Sequence, residues 1–562
     1  MSRWAIIIGI VILAGVLCAP AHAGDFGRTA PLNPAFEAWR ANVRAEKAVR
    51  VTAKTRRISG TRPSPVNLRH LFNRSIVPPA KTAQDAAGAF PPRYDLRDAG
   101  RISPMKDQDP WGSCWTFATM GSAESSALGR GWQSPDFSEK HLAWFGYTDI
   151  SPALVGFDLT DPEKNIYDQG GSATIALALL SRWTGIVGEG DVPYADFTTP
   201  PPADAKNAVL LNACRMAPAG AYFQKNVKYL IQNYGAVNMD VYIDGEGEED
   251  EDGTLNSSYN SERAAFYYAG EAADSNHAVL AVGWDDAYSR ENFLIEPPGD
   301  GAWIVRNSWG DDWGDKGYFY VSYYDNVTGA LEDEDAFAFE VVPPQAYDGC
   351  DFHDPLGVTG AYAVGNNNGD QWFSNVFTSD KRQNLHAVGL FAMNPDTSMT
   401  ISVYTDINAS NPRSVTLALS PWTVACAIPG YYVLTLEHPV SVMRNQRFSI
   451  VVNTRAPDAE FPIAIESPKE QYSSKATASK GQSFVSADGV SWKDLTDEKP
   501  NANVCLKVFF TAGLERAIGV LQVMQGMAAP PVDGGVISDV DNDGKIGFAE
   551  ALYTLQVNAG LR

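Results

Sequence analysis

Between residues 341 and 511, apolar and polar residues alternate in short stretches. Side chains alternate between the two faces of a strand, so Val504, Leu506 and Val508 would share one face of a half-buried strand. Similar stretches occur at residues 386–393, 400–404 and 447–452. Gly, Asn, Asp and Pro separate them. The pattern predicts an all-β sandwich, or jelly roll, for this part of the chain.

The first half of the chain has a different pattern. Residues 114–128 are suited to a helix, and residues 276–284 form an apolar run that predicts a core strand. Residues 33–50 are rich in Ala, Arg and Glu and favour a further helix. Residues 63–71 are then expected to run extended.

An uninterrupted apolar stretch covers residues 5–17, after the positive start Ser2-Arg3. It is too short to span a bilayer comfortably, and Ala21 and Ala23 fit a signal-peptidase site. We interpret residues 1–23 as a secretory signal, which predicts a secreted, periplasmic or cell-surface protein. No later segment is apolar enough to span a membrane, so no membrane association is expected after signal removal.

The last 50 residues contain an internal repeat, in which residues 516–523 align with 550–557 and suit two amphipathic helices. The intervening loop has the spacing of an EF-hand calcium loop. Its ligands would be Asp539, Asp541, Asp543, the carbonyl of Lys545 and the bidentate carboxylate of Glu550. The loop predicts a structural Ca²⁺, the alternative being an acidic turn.

Charge is distributed unevenly along the chain. The net charge is −23, yet residues 24–90 hold 12 Lys/Arg against 4 Asp/Glu, a net of +8. The rest of the chain is acidic, which argues against nucleic acid as a partner. The basic segment is interpreted as a propeptide held across an acidic enzyme, or alternatively as a basic extension. The acidic run at residues 245–253 is expected to be a solvated loop.

Five cysteines remain after signal removal. Cys350, Cys426 and Cys505 share the C-terminal half, so one disulfide among them is expected in an oxidising compartment. Cys214 has no evident partner, and the sequence leaves the pairing open.

Cys114 follows a Gly-Ser turn and would start the helix at residues 114–128. The positive end of a helix macrodipole stabilises the thiolate, which is the reactive form of cysteine. Gln108 lies six residues earlier, and its amide could hold the oxyanion of an attacked carbonyl together with the Cys114 N–H. Cys114 is therefore a candidate nucleophile, the alternative being an inert buried cysteine.

A nucleophilic cysteine needs a base, and the base needs an orienting group. His277 lies at the start of the predicted core strand. Asn307 can accept the imidazole N–H and fix its tautomer, while Trp309 could cover that hydrogen bond. Each residue alone could be structural, but their order along the chain favours a catalytic set.

These blocks together resemble the papain family of cysteine peptidases, over roughly residues 91–340. Residues 94–97 are similar to the family's mature start, residues 137–142 to one of its helices, and residues 235–239 to one of its strands. The resemblance implies a two-lobed α+β fold with Cys114 as nucleophile, His277 as base and acid, Asn307 as orienter and Gln108 as oxyanion donor. It also implies that Gly170 and Gly171 line the substrate cleft.

The chain departs from the family pattern in two places. Trp111 stands where a disulfide-forming cysteine is usual, and no cysteine precedes Gly170 either. An insertion at residues 285–300 is expected to form a long loop beside the active site.

Two weaker resemblances concern the C-terminal half. Residues 347, 354–357 and 487–492 are similar to a lectin-like module that follows some bacterial papain-type peptidases. The repeat at residues 512–562 resembles a dockerin with one calcium loop. These resemblances imply a glycan as a partner of the β domain, the alternative being a packing or spacer domain. They imply a cohesin-like or cell-surface partner of the tail, the alternative being a self-contained calcium-stabilised cap.

The predicted organisation is a signal peptide at 1–23, a propeptide at 24–90, a peptidase domain at 91–340, a β-sandwich at 341–511 and a calcium-binding helical pair at 512–562. The predicted function is a secreted cysteine endopeptidase, made as a zymogen, that acts on protein or peptide substrates. No cofactor is expected for catalysis. The alternative is a surface adhesion, carbohydrate-binding or protein-binding protein whose peptidase-like domain is inactive.

Overall fold

A computed structural model describes most of the chain. The described residues are 26–46, 61–79, 90–244, 258–271, 273–365, 369–407, 411–413, 416–511, 521–522, 524–525, 545 and 547–558. The predicted signal peptide and the acidic run at 245–253 lie outside them. Within the described ranges, no helix combines the length and the apolar character needed to cross a bilayer.

The helices are α1 (Pro34–Glu46), α2 (Cys114–Gly129), α3 (Glu139–Tyr147), α4 (Ala173–Ser181), α5 (Phe223–Asn233), α6 (Leu495–Glu498) and α7 (Phe548–Asn558). The strands of the first half are β1 (Gly27–Thr29), β2 (Arg93–Asp95), β3 (Leu210–Ala217), β4 (Val237–Val241), β5 (Tyr259–Asn260), β6 (Ala265–Phe266), β7 (His277–Asp285), β8 (Ala302–Arg306), β9 (Tyr318–Ser322) and β10 (Ala336–Val342). Those of the second half are β11 (Gly349–Phe352), β12 (Gly360–Val364), β13 (Gln371–Thr378), β14 (Gln383–Ala392), β15 (Thr397–Thr405), β16 (Thr416–Cys426), β17 (Gly430–Val442), β18 (Arg447–Arg455), β19 (Ile463–Glu466), β20 (Ser483–Ser486), β21 (Lys493–Asp494), β22 (Asn503–Val504) and β23 (Leu506–Thr511).

Helix α2 runs through the centre of the first half, and nearly all of its side chains are buried. A helix that is buried on all sides needs partners for its polar groups. Ser122 has two: its hydroxyl donates to the Ala236 carbonyl at 2.6 Å and accepts from the Phe339 N–H at 3.0 Å. The predicted helix is therefore present, and it is anchored to the adjoining sheet.

The β-rich lobe is a sheet in the order β3-β10-β4-β7-β8-β9. Strand β7 is central and buried along almost its whole length, as its continuous apolar sequence predicts. His277, its first residue, lies opposite Val241 on β4. The fold thus brings the start of β7 next to the start of α2.

Apart from the one-turn helix α6, the regular structure described between residues 349 and 511 consists of β-strands, which confirms the β-rich prediction for this part of the chain. A six-stranded sheet has the order β16-β15-β18-β13-β20-β21, and a four-stranded sheet has the order β1-β12-β19-β22. The layer facing them is continuous with the sheet of the first half, because β17 pairs with β3. Gly430 starts β17, and a Cβ there would lie 2.0 Å from the Cys214 carbonyl oxygen. Glycine therefore permits the two halves to share one sheet.

The described residues 26–46 and 61–79 pack on both halves. Strand β1 pairs with β12, and Phe36 of α1 packs edge-on against Tyr472 with ring centroids 5.7 Å apart. The prediction that residues 63–71 run fully extended is wrong at its end. Residues Arg69–Leu71 form a 3-10 turn, which buries the apolar side chain of Leu71.

Two further expectations are not met. Cys114, Cys214, Cys350, Cys426 and Cys505 are all free thiols, so the disulfide expected in the C-terminal half does not form. Cys350 lies on β11, Cys426 ends β16, and Cys505 lies between β22 and β23. The insertion at 285–300 follows the end of β7, about 26 Å along the strand from His277 at about 3.3 Å per residue. It therefore does not lie beside the active site.

Candidate active site

Cys114 occupies the first position of α2, and its side chain is fully buried. The backbone N–H of Ala278 donates to the Cys114 sulfur at 3.4 Å. Because Ala278 follows His277 on β7, the sulfur lies against the backbone of the strand that carries the imidazole, although no hydrogen bond joins the sulfur to Nδ1 of His277 among the described residues. Two elements far apart in sequence, α2 and β7, thus bring the predicted nucleophile and base together.

The imidazole of His277 is held from one side. Its Nε2 lies 2.8 Å from the Oδ1 of Asn307, which also accepts from the Ser308 N–H at 2.8 Å. Since Oδ1 is an acceptor, it selects the tautomer that carries the proton on Nε2. The Trp309 ring lies over the imidazole, with centroids 4.9 Å apart. Among the described residues Nδ1 has no hydrogen-bond partner, so it is available to take a proton.

Gln108 is fully buried, and its side chain has a fixed orientation. The Ser308 hydroxyl donates to its Oε1 at 2.6 Å, and its Nε2 donates to the Trp111 carbonyl at 2.9 Å. The amide NH₂ therefore faces the 111–114 turn that carries the nucleophile. Such a preorganised donor can stabilise an oxyanion without reorienting.

The ionisation of the pair differs from the thiolate that the helix position predicts. Burial raises the pKa of Cys114 to about 12, although the Ala278 N–H opposes this shift. Burial also lowers the pKa of His277 to about 4. Desolvation disfavours both charged forms and here outweighs the macrodipole of α2. Both pKa shifts favour the neutral thiol and the neutral imidazole over the ion pair.

Gly171 lies against the ring of Trp115, the residue after Cys114, and the Gly170 carbonyl accepts from the Tyr147 hydroxyl at 2.5 Å. A Cβ on Gly171 would come 2.3 Å from the Trp115 ring, so only glycine fits. Thr61 forms a parallel bridge with Gly171, and the Arg62 N–H donates to the Gly171 carbonyl at 2.7 Å. The Thr61 hydroxyl donates to the Ser275 carbonyl at 2.5 Å. The chain at residues 61–62 thus pairs with the glycine edge, as an extended peptide could.

Residues that the motifs did not indicate support the nucleophile's turn. The Tyr194 hydroxyl lies 2.7 Å from the Ser113 hydroxyl and donates to the Gln108 carbonyl at 2.7 Å. Trp111 packs against Phe197 with centroids 5.8 Å apart. Aromatic packing thus occupies the place where the family has a disulfide. Tyr194 has no local motif, and only its aromatic character in a Pro-rich loop could have indicated it.

The predicted calcium loop is only partly visible. Asp539, Asp541 and Asp543 lie outside the described residues. Glu550 is buried in the first turn of α7, where its carboxylate accepts from the Gly547 N–H at 2.6 Å. Within the described ranges, no three His, Cys, Asp or Glu side chains could jointly hold a metal ion. The oxygen donors in the sequence suit Ca²⁺, and calcium binding stays a prediction.

Comparisons with known families agree with this geometry. Residues 90–338 match the model of the papain family cysteine proteases, and residues 352–510 match that of a lectin-like domain. A viral cathepsin of Heliothis zea nuclear polyhedrosis virus is 30% identical over 245 residues, which are 43% of this chain and 56% of that protein. Pro-cathepsin H of Mus musculus is 29% identical over 250 residues, which are 43% of this chain and 63% of that protein. This chain thus spans somewhat over half the length of these relatives.

Solved structures show the same architecture. The cysteine protease and lectin-like domains of Cwp84, a surface layer associated protein of Clostridium difficile, superpose with a TM-score of 0.66 at 21% identity. That match covers 87% of this chain and 99% of the other. A second structure, of the clostridial cysteine protease Cwp84 after propeptide cleavage, gives 0.61 at 23% identity, covering 75% and 99%. The first half therefore has a papain-like α+β fold, and a β-rich lectin-like domain follows it.

Proposed function

We propose that this chain, which carries a papain-family cysteine peptidase domain, is a secreted endopeptidase that cleaves proteins or peptides through Cys114, His277, Asn307 and Gln108. The observation that carries the proposal is the His277–Asn307 hydrogen bond of 2.8 Å, beside a cysteine at a helix start. This arrangement leaves the Nδ1 of His277 as a base for the thiol. An inactive peptidase-like domain would have no need to keep all four residues in place.

The chemistry follows from these positions. Nδ1 of His277 takes the proton from the Cys114 sulfur, and the sulfur then attacks the substrate carbonyl. The Gln108 amide and the Cys114 backbone N–H would hold the resulting oxyanion. Imidazolium donates its proton to the leaving amine as the C–N bond breaks. Water, deprotonated by His277, then cleaves the thioester and releases the acid.

Residues 24–90 are proposed to act as an inhibitory propeptide. Thr61 and Arg62 occupy the backbone edge of Gly171, which an extended substrate would need. Arg62 is 1% exposed, and its guanidinium donates to the carbonyls of Asp158 and Gln471. Because Asp158 lies in the peptidase half and Gln471 in the lectin-like half, this one side chain joins the segment to both.

The C-terminal half is proposed to provide binding functions. The lectin-like fold is suited to a glycan, and the tail after residue 512 to a Ca²⁺ ion and a cohesin-like or cell-surface partner. Cwp84 is a surface layer associated protein, and its likeness to this chain supports a surface location. The stabilising Ca²⁺ would take no part in peptide hydrolysis, because the proposed steps need only the thiol, the imidazole and the amides.

The test is hydrolysis of an unbiased fluorogenic peptide library by the form that lacks residues 24–90. Cys114→Ala should abolish turnover without changing the circular dichroism spectrum. Cys350→Ala is the matched control, because Cys350 lies on β11 in the lectin-like half, and this variant should keep full activity. Turnover by Cys114→Ala, or no turnover by the parent, would contradict the proposal.

A further inference from the structure

Strand β1 is built into a sheet of the lectin-like half, where it pairs antiparallel with β12. The pairing continues at both ends of the strand. The Gly365 N–H donates to the Phe26 carbonyl at 2.7 Å, and the Ala30 N–H donates to the Ala361 carbonyl at 2.9 Å. Since β19 is the other neighbour of β12, β1 covers the outer edge of this sheet. Backbone hydrogen bonds of this kind give affinity to an extended segment at a sheet edge.

The side chains beside these backbone bonds restrict which segment can pair there. Phe26 packs against the core of the lectin-like half, and the Nζ of Lys493 lies 3.9 Å from the centroid of its ring. Gly27 passes over the ring of Tyr362, which a Cβ at residue 27 would overlap. Tyr362 is 2% exposed, so its ring has little room to move away. The edge of β12 therefore accepts an extended segment in which an aromatic residue is followed by glycine.

Helix α1 adds an apolar contact to this pairing. Phe36 is fully buried, and its ring lies edge-on against Tyr472 of the lectin-like half. Arg28 pairs with Glu460 at 3.0 Å, but both side chains are largely exposed, and such pairs contribute little. Residues 26–36 are thus held by backbone hydrogen bonds and apolar burial more than by charge.

The same segment makes its contact with the cleft at another place. Thr61 and Arg62 pair with the backbone of Gly171, whereas the partners of residues 26–30 named above all belong to the lectin-like half. Residues 47–60 connect the two contacts along the chain. When one contact of a linked pair has formed, the other becomes intramolecular, which raises the combined affinity without any new contact.

We propose that the β12 edge is an anchoring site for residues 26–36, separate from the cleft, and that it makes residues 24–90 a two-site inhibitor. The lectin-like half thereby takes part in the regulation of the peptidase half. The effect on activity rests on the proposed propeptide role, but the anchoring itself is independent of peptide hydrolysis.

The first test measures the anchoring alone, by fluorescence polarisation. A labelled peptide of residues 24–46 should bind the form that lacks residues 24–90 and should leave its hydrolysis of peptides unchanged. Gly27→Val in the labelled peptide should weaken binding by about tenfold or more, because the added side chain overlaps the Tyr362 ring. Ala41→Val is the matched control. It adds bulk at an exposed position of α1, and it should change binding by less than about threefold.

The second test compares two inhibitory peptides on the same form of the protein. Residues 24–90 should inhibit hydrolysis at about tenfold or more lower concentration than residues 61–90, because only the longer peptide reaches both sites. A saturating amount of the 24–46 peptide should raise the inhibition constant of residues 24–90 toward that of residues 61–90. It should not weaken inhibition by residues 61–90.

The two tests separate the anchoring site from the peptidase function. Absence of binding by the 24–46 peptide, or equal losses for Gly27→Val and Ala41→Val, would overturn the anchoring site. Inhibition of hydrolysis by the 24–46 peptide alone would show that the site is not separate from the cleft. Equal inhibition by residues 24–90 and 61–90 would overturn the two-site inhibitor. If the 24–46 peptide binds as expected but no peptide is hydrolysed, the peptidase proposal fails and the anchoring site stands.

Discussion

Cys114 lies where a helix dipole favours a thiolate, yet its surroundings exclude the water that a thiolate needs. Burial raises its pKa to about 12 and lowers that of His277 to about 4. Both pKa shifts oppose formation of the ion pair, because one keeps the thiol neutral and the other keeps the imidazole neutral. Reactivity therefore depends on uncovering the pair, and not only on the residues that form it.

Alkylation should report this uncovering. At pH 7, iodoacetamide should modify Cys114 at least tenfold faster in the form that lacks residues 24–90 than in the full chain, because hydration restores the ionised pair. Mass spectrometry of the labelled peptide measures the rate. Cys350 serves as an internal reference whose rate should change little. Equal rates at Cys114 in both forms would contradict the role given to burial.

Asp335 offers a second residue-scale test. Burial raises its pKa to about 7, whereas an unfolded aspartate has a value of about 4. Between these pH values the folded state keeps a proton that the unfolded state has lost, so stability falls as pH rises from about 4 through about 7. Asp335→Asn should therefore be more stabilising at pH 8 than at pH 4.5, by about 2–4 kcal/mol.

Urea unfolding at the two pH values measures this difference. The exposed Asp311→Asn is the control and should shift stability equally at both. The difference in unfolding free energy between Asp335→Asn and the parent should grow with pH. If it does not, Asp335 is already ionised in the folded protein.

Sequence motifs predicted which residues meet at the site, because Cys114, His277 and Asn307 each lie in a short run typical of its element. The motifs could not predict the charge state, which depends on burial by distant segments. Nor could they predict Tyr194, which contacts the Gln108 carbonyl across 86 residues of chain.

At the scale of elements, the alternating pattern predicted strands and their buried faces but not their partners. Strand β17 has the alternation of a sandwich strand, yet its first residues pair with β3 of the peptidase half. Periodicity has no information on which of two distant edges a strand will join. Strand β1 was not predicted at all, because three residues are too few to show a period.

Arg62 connects several elements at one point. Its guanidinium lies over the rings of Trp39 on α1 and Tyr472 of the lectin-like half, 5.1 and 5.0 Å from their centroids. Arg62→Ala should weaken inhibition by an added peptide of residues 24–90 at least thirtyfold, because its buried carbonyl partners would lose their donor. The inhibition constant against the form lacking that segment measures the effect.

Arg74→Ala is the matched control for this experiment. Arg74 pairs with Asp458 at 3.7 Å, with both side chains largely exposed, and such pairs contribute little. Its inhibition constant should change by less than threefold. If Arg62→Ala and Arg74→Ala weaken inhibition equally, the positive charge of the peptide, and not the Arg62 contact, accounts for its binding.

At the scale of the whole molecule, residues 24–90 carry a net charge of +8, and the rest of the chain is strongly acidic. Three described ion pairs join them: Arg28–Glu460, Arg69–Glu332 and Arg74–Asp458. All three are exposed, so salt should screen them. Inhibition by the 24–90 peptide should weaken severalfold between about 50 and about 500 mM NaCl. An inhibition constant that does not change with salt would exclude an electrostatic contribution to peptide binding.

The predicted calcium loop of the tail can be tested by binding. The full chain should bind one Ca²⁺ by calorimetry, and Asp539→Ala combined with Glu550→Gln should remove that binding. Peptide hydrolysis should survive chelation, because its proposed steps need only the Cys114 thiol, the His277 imidazole and amide groups. Unchanged affinity in the double variant would mean that the loop is only an acidic turn.

The joint between β17 and β3 has a consequence for how this protein can be divided. A cut after β10 separates two domains in sequence, but it would remove β17, one of the two neighbours of β3, and expose the backbone groups of Ala213, Cys214 and Arg215. A bare strand edge recruits other strands. A peptidase fragment made by truncation should therefore self-associate, whereas proteolytic nicking of the same linkage should leave both pieces held together. If the lectin-like half were exchanged for a domain from another protein, the new domain would likewise have to supply a strand in the place of β17.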